Sequence, residues 1–495
     1  MTFAHTLDLQ RMLWPISLAL LASCVQTAMG ADGGLKVQVT QKGLNYAKEL
    51  GIEILKSALK KETFHNVNGS YTVPLAGKVW YSVSGIQITE FQVNQAGAEF
   101  AAGTGVELSI QDAKVLMSGN WKLASFLGDD SGTVDISIDQ LTISTVMGVD
   151  RGDEGRLRVW YESCRSAMGD FRLKFYGGTS WLYNIAASAL RDMLKSEVNQ
   201  QLCSEVKRGI GKIAEILKTM NVSAQLDPIA GIDYSLVEKP MIDVDRCNVD
   251  LKGQFFVVGK TLHGSPFQPA PFLLPNQTDS MILLGISELV ANSAAFVYYT
   301  AGALRVNYTD AMVPQSLPLR LNTKNVGIFV PELNERFPNM PMEFHLAAQK
   351  EPEIRFQPTG VEITLFASAE AFVILPNTSL ASVFLLNIDA NLTGQPLLKP
   401  GKSGKSLGYA GASVALKKLR LSKEWSKVGE IRVTVLETLL KAASNLGMSR
   451  LNKRLKQAIV LPNLYGSSLL NSTVMMNKGH MFIATDLVHQ PQAAV

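Results

Sequence analysis

From Val79 to about Ile143 the apolar residues of this chain recur at every second position: Val79, Tyr81 and Val83, then Ile86 and Ile88, Val106, Leu108 and Ile110, and Val134, Ile136 and Ile138. A period of two is the pattern of strands with one buried face, and the Gly, Asn and Asp between the runs mark turns, so the segment reads as an antiparallel meander. Helical patterning lies on both sides. Upstream, VQVTQKGLNYAKELGIEILKSALKKE starts as a strand, then sets Leu44, Ala47, Gly51, Ile54, Leu55, Ala58 and Leu59 on one stripe opposite Lys48, Glu49, Glu53, Lys56 and Lys60. That is an amphipathic helix. Downstream, Trp181 to Met220 carries Leu182, Ile185, Ala189, Met193, Val206, Ile210, Ile213 and Leu217 on one face, and Gly209 and Gly211 predict a kink or break.

The same order returns in the second half. MILLGI reads as a strand and Ser287 to Tyr299 as a helix. The alternating runs LRVNY, EIRFQ, VEITLFASAEAFVIL, SVFLLNIDANL and ASVALKKLRLS follow, then a helix from about Val433 to Ile459. Only the order of elements repeats, not the letters. Between the halves, GSPFQPAPFLLPN (264–276) holds Pro266, Pro269, Pro271 and Pro275, which exclude a helix interior or central strand. Phe267, Phe272, Leu273 and Leu274 make it too apolar for a solvated linker. The expectation is an α+β fold of two sister tubular domains, 31–260 and 281–495, each a twisted antiparallel sheet wrapped around long helices. The proline-rich linker 261–280 is expected to clamp between them. A sheet curled around one helix leaves an apolar trough, and each methylene buried in it stabilises by ~0.8 kcal/mol. The pocket candidates are Leu44, Gly51, Ile54 and Leu55 on the first helix and Ile185, Ala189 and Met193 on the long one.

The apolar run Leu13 to Val25 follows Arg11 and leads to Ala28-Met29-Gly30, which reads as a secretory signal over 1–30. A second apolar run, Leu283 to Leu304, contains Glu288 and Asn292 and so reads as buried strand and helix rather than a span. Sequons at Asn68, Asn221, Asn276, Asn307, Asn377, Asn391 and Asn471 fit a secreted, extracellular glycoprotein. Beyond the signal, Cys164, Cys203 and Cys247 allow one bridge and a spare thiol in three pairings.

The formal net charge is +4, with 31–260 slightly acidic and 261–495 basic. Neither half is a dense cationic field, so no nucleic-acid partner is expected. His65, His263, His345, His480 and His489 lack paired metal-ligand spacing, which points to no metal. No G-x-S-x-G elbow occurs; PGKSGKS (400–406) lacks the first glycine of a phosphate loop, and GTGVEL lacks the last glycine of a dinucleotide fingerprint. A binding protein rather than an enzyme is expected, with no catalytic residues and no cofactor beyond a bound phospholipid.

QKGLNYAKELG (41–51), GIDYSLVEKP (231–240), DLKGQFF (250–256), FVPELNERFPNM (329–340) and ILPNTSLASVFLL (374–386) resemble the bactericidal/permeability-increasing and lipopolysaccharide-binding protein family, in the same order. The resemblance covers about 35–487. It implies a boomerang of two lipid-binding domains joined by a central sheet, a Cys164–Cys203 bridge, and binding of lipopolysaccharide through lipid A in innate defence. The implied surfaces are bacterial outer membranes or lipid particles. In the endotoxin-binding members cationic loops at the N-terminal tip meet the lipid A phosphates. The matching stretches here are taken as 74–81, 119–132 and 148–156, with Lys78, Trp121, Lys122, Phe126, Arg151 and Arg156 as tip candidates. The second stretch departs from the basic pattern at Asp129 and Asp130, and in the third Asp150, Asp153 and Glu154 offset the arginines. The alternative expectation is therefore a phospholipid transfer protein with little endotoxin binding or bactericidal activity.

Overall fold

The computed structural model describes residues 33–489, apart from 60–65, 74–76, 126–127, 179, 260–265, 269, 314–319, 402–405, 457–458 and 461–466. The signal segment lies outside the described residues. The chain's first strand, Leu35–Thr40, is the seam of the molecule. It pairs antiparallel with Arg246–Leu251 on one side and with Ile282–Ser287 on the other. His480–His489 and Ser467–Asn477 extend the same six-stranded sheet, so both halves of the chain share it.

The expected meander forms in the first half. Val67–Val73, Gly77–Ala101, Gly105–Ser125, Gly128–Arg151 and Leu157–Ala167 pair in chain order, and Phe171–Tyr176 adds to Gly128–Arg151. Their inward residues, among them Val79, Val83, Val115, Met117, Val134 and Ile136, make the first core. Long strands keep one face inward only by resetting their phase, because each extra residue flips every later side chain. Asp112 (φ 52°) does this between Ile110 and Ala113, Gln140 (φ 57°) between Ile138 and Leu141, and Gly85 (φ 63°) between Val83 and Ile86.

Against this sheet lies one helix, Ser180–Thr219, of 40 residues. The expected break at Gly209 and Gly211 is absent. Ile210 is buried, and Ala214 and Leu217 pack with Phe100, Val149 and Val159. That packing outweighs the penalty of about 1 kcal/mol per glycine in a helix. Cys203 on this helix is bridged to Cys164 on Leu157–Ala167, with Cα atoms 5.7 Å apart.

The second half repeats the plan with Arg305–Thr309, Met342–Ala348, Gly360–Ile374, Leu380–Pro400, Gly408–Ser426 and Ile459–Val460 in one sheet. The run Leu283 to Leu304 is the strand Ile282–Ser287 and the helix Glu288–Thr300. The last helix, Val433–Leu455, stops short of the expected Ile459, which instead pairs with Ala410. In its last turn the Asn452 side chain accepts from the Val414 N–H and donates to the Val414 carbonyl, tying the helix to the neighbouring strand.

The proline strap runs against the shared sheet. Gln38 donates to the Gln277 carbonyl (3.2 Å) and Thr40 to that of Ser280 (2.8 Å). Phe272 is buried over Leu283, stacks on His480 at 5.0 Å and carries the Lys36 ammonium at 5.4 Å. Phe267 meets Phe296 edge-on, whereas Leu273 is 88% exposed, so the strap buries only part of its apolar content. Gly285 makes room for it: a Cβ there would come within 2.6 Å of Phe272 and 2.7 Å of Leu274.

Burial holds the His480 imidazole below its ordinary pKa, against the opposing Glu288 carboxylate and a backbone hydrogen bond at Lys478. Its folded value therefore lies under the unfolded value of about 6.5, and the neutral ring stabilises above that pH. That contribution should be lost as pH falls through the folded value. The urea midpoint should drop more between pH 7.5 and pH 5 in the parent than in His480→Phe; equal drops would show that the ring is not linked to folding.

Candidate binding surfaces

At the end of the first sheet remote from the shared sheet, five strand ends converge. Gly77 faces Val73, Trp80 faces Ala124, Ala124 faces Asp129, and Thr133 faces Tyr176. Because Val79 and Tyr81 point inward, Trp80 points outward and is 51% exposed. The Lys78 ammonium sits 5.4 Å from its ring, and Lys174 lies 4.9 Å from the ring of Tyr176, itself 41% exposed. A hydrogen bond to the Tyr176 hydroxyl raises the Lys174 pKa. Lys122 is exposed on the same face, while Asp129, Asp130 and Asp135 offset these cations. This tip is aromatic and close to neutral.

The other tip candidates are placed differently. Trp121 is 2% exposed in the first core, edge-on to Phe175 at 5.7 Å, and its indole N–H donates to the Tyr176 carbonyl. The phase reset at Asp112 turns it inward. Arg151 and Arg156 stand at the opposite end of Gly128–Arg151, a strand of 24 residues, or roughly 75 Å of contour. There Arg151 donates to the Leu236 carbonyl, and Arg156 pairs with Glu154 and donates to that of Met220. These arginines stitch the sheet to neighbouring segments rather than completing the tip. The third stretch at the tip is the end of Phe171–Tyr176 with Gly177 and Gly178, where a Cβ on Gly178 would meet the Asp130 carboxylate at 2.6 Å. Phe126 lies outside the described residues.

Of the pocket candidates, Leu44 packs half-buried against the cluster of Phe100, Val149, Val159 and Ile242, and Gly51 is exposed with nothing within 4 Å of a Cβ. The side chains of Ile54, Leu55, Ile185, Ala189 and Met193 lie outside the described residues. Both long helices, however, carry more apolar surface than their sheets cover. Beside the buried Ile210 and the half-buried Ala214 and Leu217, Ile213 and Ile216 stay open, Ile216 at 67% exposure. On the last helix Val433, Leu436 and Leu440 share one stripe. The first two pack into the second core, but Leu440 is 43% exposed, and Val435 and Leu439 beside it are also open. The inward stripe thus runs out of cover partway along the helix.

Among the described residues no cluster of His, Cys, Asp and Glu could hold a metal ion. Burial raises the Cys247 thiol to about 11, which leaves it protonated and unreactive at neutral pH. The sequons at Asn68, Asn221, Asn276, Asn307, Asn377 and Asn471 are exposed, whereas Asn391 is half-buried.

Comparison with known proteins fits both halves. The N-terminal domain of the LBP / BPI / CETP family matches residues 43–220 and its C-terminal domain matches 224–489. The chain belongs to the LBP/BPI/CETP family. This family member is 35% identical to a bactericidal permeability-increasing protein of Sebastes schlegelii over 94% of this chain and 98% of that one. It is 29% identical to human lipopolysaccharide-binding protein over 97% and 98% respectively. A crystal structure of lipopolysaccharide binding protein shares its fold, with a TM-score of 0.58 at 24% identity over 93% of this chain and all of that one. Within this LBP/BPI/CETP chain, Trp80, Lys174 and Tyr176 are the tip residues that the sequence reading missed. For Trp80 the signal was present: it sits between two inward residues of an alternating run.

Proposed function

We propose that this protein is a secreted lipid-binding protein of innate immunity. It binds lipopolysaccharide through lipid A and shelters acyl chains, including those of phospholipids, against its helices. The observation that carries this reading is full-length similarity to proteins named for bactericidal permeability increase and lipopolysaccharide binding. The tip supports it with exposed aromatic rings that suit a lipid interface and lysines beside them for phosphate. The open stripes at Ile213, Ile216 and Leu440 support it as surface that hydrocarbon would cover. A Cys164–Cys203 bridge suits an oxidising compartment, and no described helix is long and apolar enough to cross a membrane.

Labelled lipid A should bind the purified protein at physiological salt. Lys78→Glu combined with Lys174→Glu should weaken it about tenfold or more, since each cation near an anionic lipid surface contributes about 1 kcal/mol. Absence of binding by the parent would remove the reading. The balance of Lys78, Lys122 and Lys174 by three carboxylates favours a second one: a carrier that moves phospholipid between particles with little endotoxin binding. Vesicle-to-vesicle transfer above background, without lipid A binding, would select it.

A further inference from the structure

On the outer face of the second sheet, turned away from its core, three strands frame a cleft of about 370 Å³. Phe366 on Gly360–Ile374, Asp389 on Leu380–Pro400 and Arg420 on Gly408–Ser426 are register partners in one row. In the next outward row Asn387 pairs with Ser422, and Gln349 closes one side by donating to the Asn387 amide oxygen at 2.7 Å. The inward residues of the same strands, Ala367, Leu386 and Leu419, are buried. The polar side chains of the cleft therefore point away from the second core, while Ile388, which packs on that core, also lines it.

We propose that this cleft binds a saccharide, a hexose-based unit of one or two rings. Asp389 and Arg420 face each other across adjacent strands, yet among the described residues neither side chain makes a hydrogen bond or an ion pair. Arg420 acts only at longer range, helping to lower the Glu437 carboxyl behind Lys441 and the Leu421 N–H. A carboxylate and a guanidinium held side by side offer acceptors and donors in the spacing that neighbouring ring hydroxyls present. Ser422 adds a hydroxyl, and Phe366 supplies an apolar wall, one side of which the Lys350 ammonium covers at 3.9 Å. Among the described residues lining the cleft the charged ones are Asp389 and Arg420, which balance, so the site lacks the excess cation that a phosphate would call for. Its volume lies near the bottom of the range for small-ligand pockets, about 300–1,000 Å³, which admits one or two sugar rings.

The proposal is independent of the lipid reading, because its ligand carries no hydrocarbon. The sequon at Asn391 lies two residues along from Asp389 on the same face, so the test uses the full chain in an Asn391→Gln background, where no attached glycan can compete. Saturation-transfer NMR with maltose, diacetylchitobiose and the oligosaccharide core released from lipopolysaccharide by mild acid should show transfer to ring protons of at least one of them. Asp389→Ala and Arg420→Ala should each weaken that binding about tenfold, the scale of one charge-assisted hydrogen bond. Lipid A binding and the thermal midpoint should not change. No transfer from any of the three sugars, or equal transfer in parent and variants, would overturn the proposal. Displacement of the sugar by inorganic phosphate would overturn it too, by marking an anion site.

Discussion

Replacing Trp121 with alanine should cost about 3–5 kcal/mol of folding stability, the scale seen for large aromatic side chains removed from a core. The same change at Trp80 should cost about 1 kcal/mol or less, the worth of a cross-strand pair on a solvated face. The indole of Trp121 is enclosed by the first core, leans on Phe175 and satisfies its N–H with the Tyr176 carbonyl. Truncation leaves a cavity and strands that carbonyl. Trp80 instead offers its ring to solvent under Lys78. Binding should show the reverse order, with Trp80→Ala weakening attachment to anionic vesicles. Denaturant melts and vesicle sedimentation on the two variants separate these roles. A stable Trp121→Ala protein that no longer binds vesicles would restore Trp121 to the surface.

Removing the bridge with Cys203→Ser should cost about 4 kcal/mol on the chain-entropy estimate for its sequence separation of 39 residues. The effect should be local to the first half. Cys203 anchors the middle of Ser180–Thr219 to Leu157–Ala167, and among the described residues this helix joins the first core through Leu194, Val198 and Leu202. Hydrogen exchange should therefore quicken across that helix and strand, while Gly360–Ile374 in the other half keeps its protection. An unchanged denaturation midpoint would show that packing alone holds the helix in place.

Much of this architecture was legible in alternation and helical period. Val79, Tyr81, Val83, Val134, Ile136 and Ile138 are all inward, as their spacing requires. What a period cannot carry is its own phase across a bulge. Counting on from Val106 and Ile110 puts Trp121 outside, and only the left-handed backbone at Asp112, which any Asp can adopt without announcing it, reverses that. Arg151 and Arg156 were misplaced for a different reason. Matching short stretches to a family gives their order along the chain but not which end of a long strand they occupy. Helix bounds failed where tertiary contacts decide them: Gly209 and Gly211 stay helical under packing, and the last helix gives way after Leu455 to a strand in which Ile459 pairs with Ala410. The strap was recognisable from its prolines, but its anchor, Phe272 between Lys36 and His480, joins residues from both chain ends that no local pattern relates.

The central claim is that the open stripes beside Ile216 and Leu440 are covered by lipid hydrocarbon. Organic extraction of the purified full-length protein followed by mass spectrometry tests it most directly. The account predicts acyl-chain lipid in stoichiometric amount, and its loss when Leu440 and Ile216 are changed to aspartate. A correctly folded protein that releases no lipid, and takes none up from vesicles, would contradict it.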